Sequence, residues 1–325
     1  MKKARLRKSA PEFLAMVRER CQELGRRIES ASGDELIALW TTEISPLWKE
    51  IHPLQDKMNE ELNLLTRKLK AELIKLLGDN EANALLTTIS SAGELASVGP
   101  LVGLFKLSRG ELGREEYLHQ YGHRGPHENE LAEPRQYEDP DWLDRQLAEF
   151  RQSPVNVPEL LARRDAESTA VWADIKRKLA SKEAQAIERK IDEVTEANTL
   201  REATRAELTR IVDVIRKFFL RAGELAGLGD GVFFLTVDEV VDVLSGDASA
   251  VAHIPTRREA YEKYRALPLL PAWIRGRFDP FRWAADPNRR LDVFDPQAPI
   301  APAAPKTDGI VKGHPGSAGR VEGVV

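Results

Sequence analysis

The feature that most constrains the fold is a proline-free run of more than sixty residues, from Ser168 to Gly231, in which apolar residues recur at helical spacing. A run of this length exceeds an ordinary helix and contains no strand pattern. It therefore predicts two or three helices packed antiparallel.

Two earlier segments carry helix signals of their own. Ser32 is followed three positions later by Glu35, a pairing in which each side chain caps the other's backbone N–H group. Leucines at spacings of three and four from Leu62 to Leu76 predict a long amphipathic helix that ends at Gly78. Because strand patterns are nearly absent before residue 300, the sequence predicts a mainly α fold with a multi-helix, bundle-like domain.

The sequence changes character after Val251. The stretch "RREAYEKYRAL" predicts a last short helix, followed by an irregular connector rich in proline and tryptophan and by a Pro/Ala linker over 296–305. From Ile310 to Val325, small and β-branched residues alternate with glycines, a pattern of strands and tight turns. We therefore predict a helical domain over 1–250, the last helix and connector over 251–307, and a truncated β-containing segment over 308–325.

Charge and cysteine content limit the kinds of partner and of covalent or metal crosslink that the chain can use. With 48 basic and 52 acidic side chains, the net charge of −4 does not favour nucleic acid. The single cysteine, Cys21, excludes an intrachain disulfide and a cysteine-based zinc cluster, and it is typical of a reducing compartment. No segment approaches the roughly 20 apolar residues of a membrane span, and the start has no apolar run of the length expected for a signal peptide. We expect a cytoplasmic protein with no membrane partner.

Candidate site chemistry is concentrated in the segment "YLHQYGHRGPHENELAEPRQYEDPDWL", from Tyr117 to Leu143. His123 and Arg124 place an imidazole beside a guanidinium, a pair that suits an anion, and Glu128 is placed to orient either one. Gly122 and Gly125 are expected to allow a tight turn. The alternative is a buried, salt-bridged clamp that holds helices in register. That clamp would use Arg124, Glu128, Arg135, Glu138 and Asp139.

Metal binding by this segment is disfavoured. His119, His123 and His127 would share one helix face, but the intervening glycines and Pro126 break a helix there. The six tryptophans provide a second open choice, because they suit either a pocket for an apolar molecule or the anchors of a core. They are Trp40, Trp48, Trp142, Trp172, Trp273 and Trp283.

A second cluster of basic residues lies in "REATRAELTRIVDVIRKFFLRAGE". Arg201, Arg205 and Arg216 share roughly one helix face, and further basic residues lie close by: Arg210, Lys217 and Arg221. This face is either a cationic wall for a phosphate group or an ordinary solvated surface paired with neighbouring acids. Arg216 and Arg221 are the strongest candidates for phosphate contact, since they lie nearest the phenylalanines that pack inward.

Four blocks of the chain resemble one enzyme family. The Tyr117–Leu143 segment is similar to "FLxxYGHRGxxExDLxxPRWxEDP" of phosphoenolpyruvate synthase-like and rifampicin phosphotransferase-like enzymes, the PEP-utilising enzymes. In family order, "GDGVFFLTVDEVVDVL" resembles "DVFYLTxDEL", "IPTRREAYEKYRALPLLPAWIRG" resembles "RRxxYExxxxLPxPxxIxG", and "IVKGHPGSAGRVEGVV" resembles the opening of the phosphohistidine swivelling domain, "LxGxPxSPGxVEGxA".

The resemblance implies a phosphotransferase that works like a dikinase, with a phosphohistidine intermediate. In such enzymes an ATP-grasp domain uses ATP and Mg²⁺ to phosphorylate a histidine of the swivelling domain, which then carries the phosphate to an acceptor. This chain would supply the helical acceptor-binding and linker region, with the ATP-grasp and phosphohistidine domains on the same or a neighbouring polypeptide. We then expect no cofactor and no catalytic residue in the isolated chain. The acceptor stays open between pyruvate, a rifamycin and another small molecule. The alternative is a stand-alone helical binding or scaffold protein derived from such an enzyme.

Overall fold

A computed structural model of the chain describes residues 2–90, 98–125, 127–152 and 156–297. Within these ranges the fold is mainly α, as predicted, with twelve α-helices and two strands of two residues each. The predicted C-terminal β-containing segment and all but the first residues of the Pro/Ala linker lie outside the described residues. The helices are α1 (Lys2–Ser30), α2 (Gly33–Leu39), α3 (Ser45–Leu77), α4 (Asp79–Ser90), α5 (Gly99–Ser108), α6 (Arg114–Tyr121), α7 (Trp142–Gln152), α8 (Val157–Lys178), α9 (Ser181–Leu225), α10 (Val237–Leu244), α11 (Ile254–Arg265) and α12 (Pro280–Ala285).

The predicted helix signals in the first part of the chain are confirmed. Ser32 and Glu35 form a capping box at the start of α2. A π-helical turn over Trp40–Ile44 joins α2 directly to α3, and the Trp40 ring lies 5.1 Å from the ring of Phe218. Gly78 ends α3 with a positive φ of 83°, a conformation that glycine adopts without the steric cost of a Cβ atom.

The long proline-free run contains parts of two helices rather than three. Extended backbone at Leu179 and Ala180 separates α8 from α9. The second of these helices, α9, is 45 residues long, which corresponds to roughly 65 Å. It packs along α1 and α3, so most of its length is stabilised by tertiary burial rather than by helix propensity.

The main core is built where α1, α3 and α9 meet. Its apolar side chains recur every three or four residues on each helix, as expected for faces that pack together. Fully buried members include Val17, Leu24, Ile28, Leu47, Ile51, Met58, Ile211 and Phe218. A second cluster joins α3, α4, α8 and α9 through Leu69, Leu73, Leu85, Ile175 and Ile187. A third surrounds Tyr117 of α6 and Leu143 and Leu147 of α7.

The chain forms two compact units that divide between Phe233 and Phe234. This division lies earlier than the predicted boundary at residue 250. In the second unit, Arg257 donates two hydrogen bonds to Glu239, which also caps α10 together with Thr236. The predicted short helix is α11, but α12 follows it within the connector, and the two strands, Trp273–Ile274 and Val293–Phe294, pair in parallel.

Candidate functional site

The Tyr117–Leu143 segment leaves α6 at Gly122 and reaches α7 through a loop that packs on α9. Gly122 has a φ of −60°, so a left-handed turn is not its role. A Cβ atom at this position would collide with the Leu118 carbonyl oxygen and lie 3.2 Å from the Cβ of Tyr137. Close approach therefore requires glycine here. At Gly125 a Cβ atom would meet no atom within 4 Å, and the φ angle lies outside the left-handed region. Neither close approach nor backbone conformation therefore requires glycine at this position.

The loop is fastened to α9 by buried polar contacts. Arg216 donates from Nε and Nη2 to the two carboxylate oxygens of Glu138 at 2.7 and 2.6 Å, and it also binds the Leu131 carbonyl. The Tyr137 hydroxyl donates to Asp213 at 2.9 Å. Arg135, which is 2 % exposed, lies 3.7 Å from the same carboxylate. These contacts resemble the clamp considered from the sequence, with Arg135 and Glu138 on the loop and Asp213 and Arg216 on α9, whereas Asp139 is partly exposed and pairs with Arg145.

The predicted pair of Arg124 and Glu128 forms an ion pair of 2.8 Å, and Arg205 lies 3.6 Å from the other oxygen of the Glu128 carboxylate. Arg221 donates to the Ala31 carbonyl at 3.0 Å and to Glu224 at 2.7 Å. Arg216 and Arg221 therefore bind other parts of the chain, and neither lines the cavities beside His123. Of the five predicted binding residues, only His123 and Arg124 line these cavities.

His123 is held in a cleft between α1, the end of α6 and α9. The cleft consists of two cavities of about 410 and 500 Å³. Gln22, His119, His123 and Arg210 line both of them. The His123 side chain is 5 % exposed, and neither of its ring nitrogens has a hydrogen-bond partner among the described residues.

Charged groups from α1, α6 and α9 line this cleft. Glu207, on α9, accepts hydrogen bonds from Arg18 of α1 at 2.9 Å and from Arg210 at 3.0 Å. Lys217 lies over the Tyr137 ring, with its ammonium 5.1 Å from the ring centroid. On α1, Gly25 leaves room for this ammonium, since a Cβ atom there would lie 3.3 Å from the Lys217 Nζ.

Burial shifts the ionisation of the groups in the cleft. Burial, followed by the positive charges of Arg210, Arg124, Arg135 and Arg18, lowers the pKa of His123 to about 2. The imidazole is therefore neutral near pH 7, with one nitrogen as donor and the other as acceptor. Burial also raises the pKa of the Cys21 thiol to about 12 and raises the pKa of Asp213.

Several of these residues were not predicted as site residues. Arg210 and Lys217 were noted only as neighbours of the predicted arginine face, while Cys21 and Gly25 were not connected with the site. A signal does exist in the sequence: Glu207, Arg210 and Lys217 are spaced three and seven residues apart, which places them on one helix face. The sequence does not indicate that this face meets α1.

The structure places the tryptophans relative to the cleft and bears on the predictions about metal binding and membrane spans. The cavities beside His123 have no tryptophan among their described lining residues. Trp142 and Trp172 instead pack against two of the hydrophobic clusters. Within the described ranges, no group of three or more histidine, cysteine or acidic side chains is arranged to hold a metal ion. The described helices also include none with the length and apolar character needed to cross a membrane.

No family model matches the chain, and no curated protein matches it.

Proposed function

We propose that this chain is the helical acceptor-binding and linker part of a phosphotransferase related to the phosphoenolpyruvate synthase-like and rifampicin phosphotransferase-like enzymes. The four sequence blocks support the family. The observation that supports an acceptor site is the position of His123, which the most extensive of these blocks delivers to a polar cleft of the helical body. The rest of that block fastens the loop to α9 through Tyr137, Glu138 and Arg135.

In this proposal, the helical body binds the acceptor and does not generate the phosphohistidine. ATP and Mg²⁺ act at an ATP-grasp domain, and the phosphate reaches the acceptor on a swivelling domain. The cleft contributes a rigid, partly cationic surface that positions the acceptor, because positioning and electrostatic stabilisation supply most of the catalysis in phosphoryl transfer. The basic residues that line the cleft and could act on an anion there are Arg18, Arg26, Arg124, Arg210 and Lys217.

The test is reconstitution with labelled ATP. The full chain is incubated with ATP, Mg²⁺, a set of hydroxylated acceptors and the ATP-grasp and phosphohistidine polypeptide encoded with it. We expect a labelled acceptor only when both proteins are present, and no product from this chain with ATP and pyruvate or rifampicin. His123→Phe should lower acceptor labelling without lowering phosphorylation of the partner's histidine.

Three results would count against the proposal. Complete phosphohistidine formation without transfer to any acceptor would contradict it. Turnover by the isolated chain would overturn the assignment of the chemistry to a partner. Tight binding of a small molecule without transfer in the full mixture would favour the alternative, a stand-alone binding or scaffold protein derived from such an enzyme.

A further inference from the structure

The buried imidazole of His123 has no hydrogen-bond partner among the described residues at either ring nitrogen, whereas the nearby Arg135 and Glu128 are unpaired only at some of their polar atoms. Glu207 is hydrogen-bonded to two arginines, Asp213 to Tyr137, and Arg216 to Glu138. His123 is 95 % buried, yet neither ring nitrogen has a partner among the described residues, and the ring lines both cavities. Buried polar groups in folded proteins are almost always hydrogen-bonded. A partner for His123 is therefore expected inside the cleft.

The chemistry of that partner follows from the imidazole. A neutral imidazole presents one N–H donor and one bare nitrogen acceptor on different edges of the ring. A hydroxyl group can donate to the bare nitrogen, and an anionic oxygen can accept from the N–H group. A molecule with both groups satisfies the ring completely, whereas a simple anion satisfies one edge only.

The charges around the ring favour an anion. Arg18, Arg124 and Arg210 line the second cavity, and each disfavours a proton on His123. The carboxylates that face the cavity only partly offset these positive charges, because the single charge of Glu207 is shared between Arg18 and Arg210. In the first cavity, Asp213 is bound by Tyr137, and its pKa is raised by burial. Glu29 and Glu116 also line the cleft, one in each cavity.

Lys217 provides a second contact point for the anion. Its ammonium lies 5.1 Å from the centroid of the Tyr137 ring, a Cβ atom at Gly25 of α1 would lie 3.3 Å from it, and Lys217 lines the first cavity. An ammonium in this position can bind a carboxylate or a phosphate as a point charge. The two cavity volumes lie within the range of small-molecule sites.

We propose that the cleft between α1 and α9 binds a small organic anion with a hydroxyl group close to its charge, with His123 hydrogen-bonded to the hydroxyl and Lys217 and Arg210 facing the anionic oxygens. As the class of acceptor molecule, this assignment rests on the proposed function. As a binding site, it can be tested without phosphoryl transfer.

The test uses matched pairs of probes on the full chain. Binding of lactate is compared with propionate, and binding of glycerol phosphate with propyl phosphate, by calorimetry and by the ¹⁵N resonances of the histidine rings. We expect the hydroxylated member of at least one pair to bind about tenfold or more tightly than its deoxy analogue, the effect of one well-placed hydrogen bond. The ¹⁵N signals of His123 should shift with it.

Three variants locate the effect. His123→Phe should remove the preference for the hydroxylated probe, while His123→Gln, which keeps a donor and an acceptor, should retain part of it. Lys217→Met should weaken both members of a pair by similar factors. His127→Phe is the matched control, since His127 is exposed and lies outside both cavities. Thermal unfolding of each variant verifies that it is folded.

The outcomes separate this inference from the proposed function. No binding of any probe at millimolar concentration, or an unchanged preference in folded His123→Gln and His123→Phe, would overturn the inference. Hydroxyl-selective binding that depends on His123 would support it even if reconstituted phosphoryl transfer fails, a result that would contradict only the proposed function. Transfer to an acceptor without an anionic group would contradict this inference alone.

Discussion

At the scale of single residues, the neutral state of His123 links stability to pH. Its pKa is lowered from the ordinary value of 6.5 to about 2, first by burial and then by the surrounding arginines. Between about pH 6.5 and pH 2, His123 is therefore protonated in the unfolded chain and neutral in the folded chain. The stability contribution is fully present above pH 6.5 and is lost progressively as the pH falls.

This difference predicts a pH effect that is specific to His123. Between pH 7.5 and pH 5.5, the free energy of unfolding of the unmodified chain should fall by about 1.4 kcal/mol more than that of His123→Gln. Urea unfolding followed by circular dichroism at both pH values measures the difference. Tyr137, Glu207 and Asp213 face the same cleft, but they are unchanged in the variant, so their contributions cancel.

A matched variant controls for the loss of a histidine as such. His127→Gln removes an exposed histidine from the same loop and should keep the pH dependence of the unmodified chain. Equal pH dependence in His123→Gln and the unmodified chain would show that His123 binds a proton in the folded state, and the neutral donor and acceptor assigned to it would then be wrong.

At the scale of elements, α9 holds the loop that carries His123. Burial alone would raise the pKa of Glu138, but hydrogen bonds from Arg216 and from the Arg135 backbone hold it below its usual range. Arg216 is 3 % exposed and lies over the Phe233 ring at 5.1 Å. Arg216 therefore anchors the loop in the fold, and its predicted contact with a transferred phosphate stays a prediction.

Replacing the two predicted phosphate contacts should give very different losses of stability. Arg216→Met leaves the Glu138 carboxylate without its bidentate partner and should destabilise by about 3–5 kcal/mol. Arg221→Met removes bonds to one carbonyl and to the exposed Glu224, and should cost about 1 kcal/mol or less. Urea unfolding of both variants tests this. Similar small losses in the two would indicate that Arg216 is not an anchor.

Two helical glycines are expected to respond in opposite ways to replacement by alanine, because one is packed against backbone and the other against a flexible side chain. A Cβ atom at Gly223 in α9 would lie 2.6 Å from the carbonyl oxygen of Gly229, so Gly223→Ala should destabilise by about 1–3 kcal/mol. At Gly25 in α1 the nearest atom is the flexible end of Lys217 at 3.3 Å. Gly25→Ala should therefore stabilise by about 0.5–1 kcal/mol through helix propensity. Thermal unfolding of the two variants measures whether each change in stability is a gain or a loss. Lower stability in both variants would contradict the prediction for Gly25.

The elements were largely predictable because their signals are local. The capping box of Ser32 and Glu35 and the stop at Gly78 depend on neighbouring residues alone, and both are confirmed. The run predicted to hold two or three helices is mostly taken up by the 45 residues of α9, because packing along α1 and α3 stabilises a helix that its sequence would not maintain alone. The cleft depends on residues distant in sequence, such as Arg18 and Glu207, which only the packing brings together.

At the scale of the whole molecule, every described residue that lines the cleft beside His123 belongs to the first unit. The described part of that unit ends at Phe233, whose ring stacks on Phe219 with centroids 6.0 Å apart. Val232, which is 1 % exposed, packs beside Gly223. The last turn before the division between the units is thus part of the packing that supports α9.

This arrangement predicts two different outcomes for two shortened chains. A chain that ends at Phe233 should unfold cooperatively and keep the His123-dependent change between pH 7.5 and pH 5.5, because its cleft and its three hydrophobic clusters are complete. A chain that ends at Leu228 also loses Val232 and Phe233. It should be less stable by about 2–4 kcal/mol, since the fully buried Val232 contributes roughly 1.5–3 kcal/mol and the partly buried Phe233 contributes part of that amount. Urea unfolding of the two chains measures this difference. Equal stability would show that α9 does not depend on this turn, and loss of cooperative unfolding in the longer chain would show that the first unit does not fold on its own.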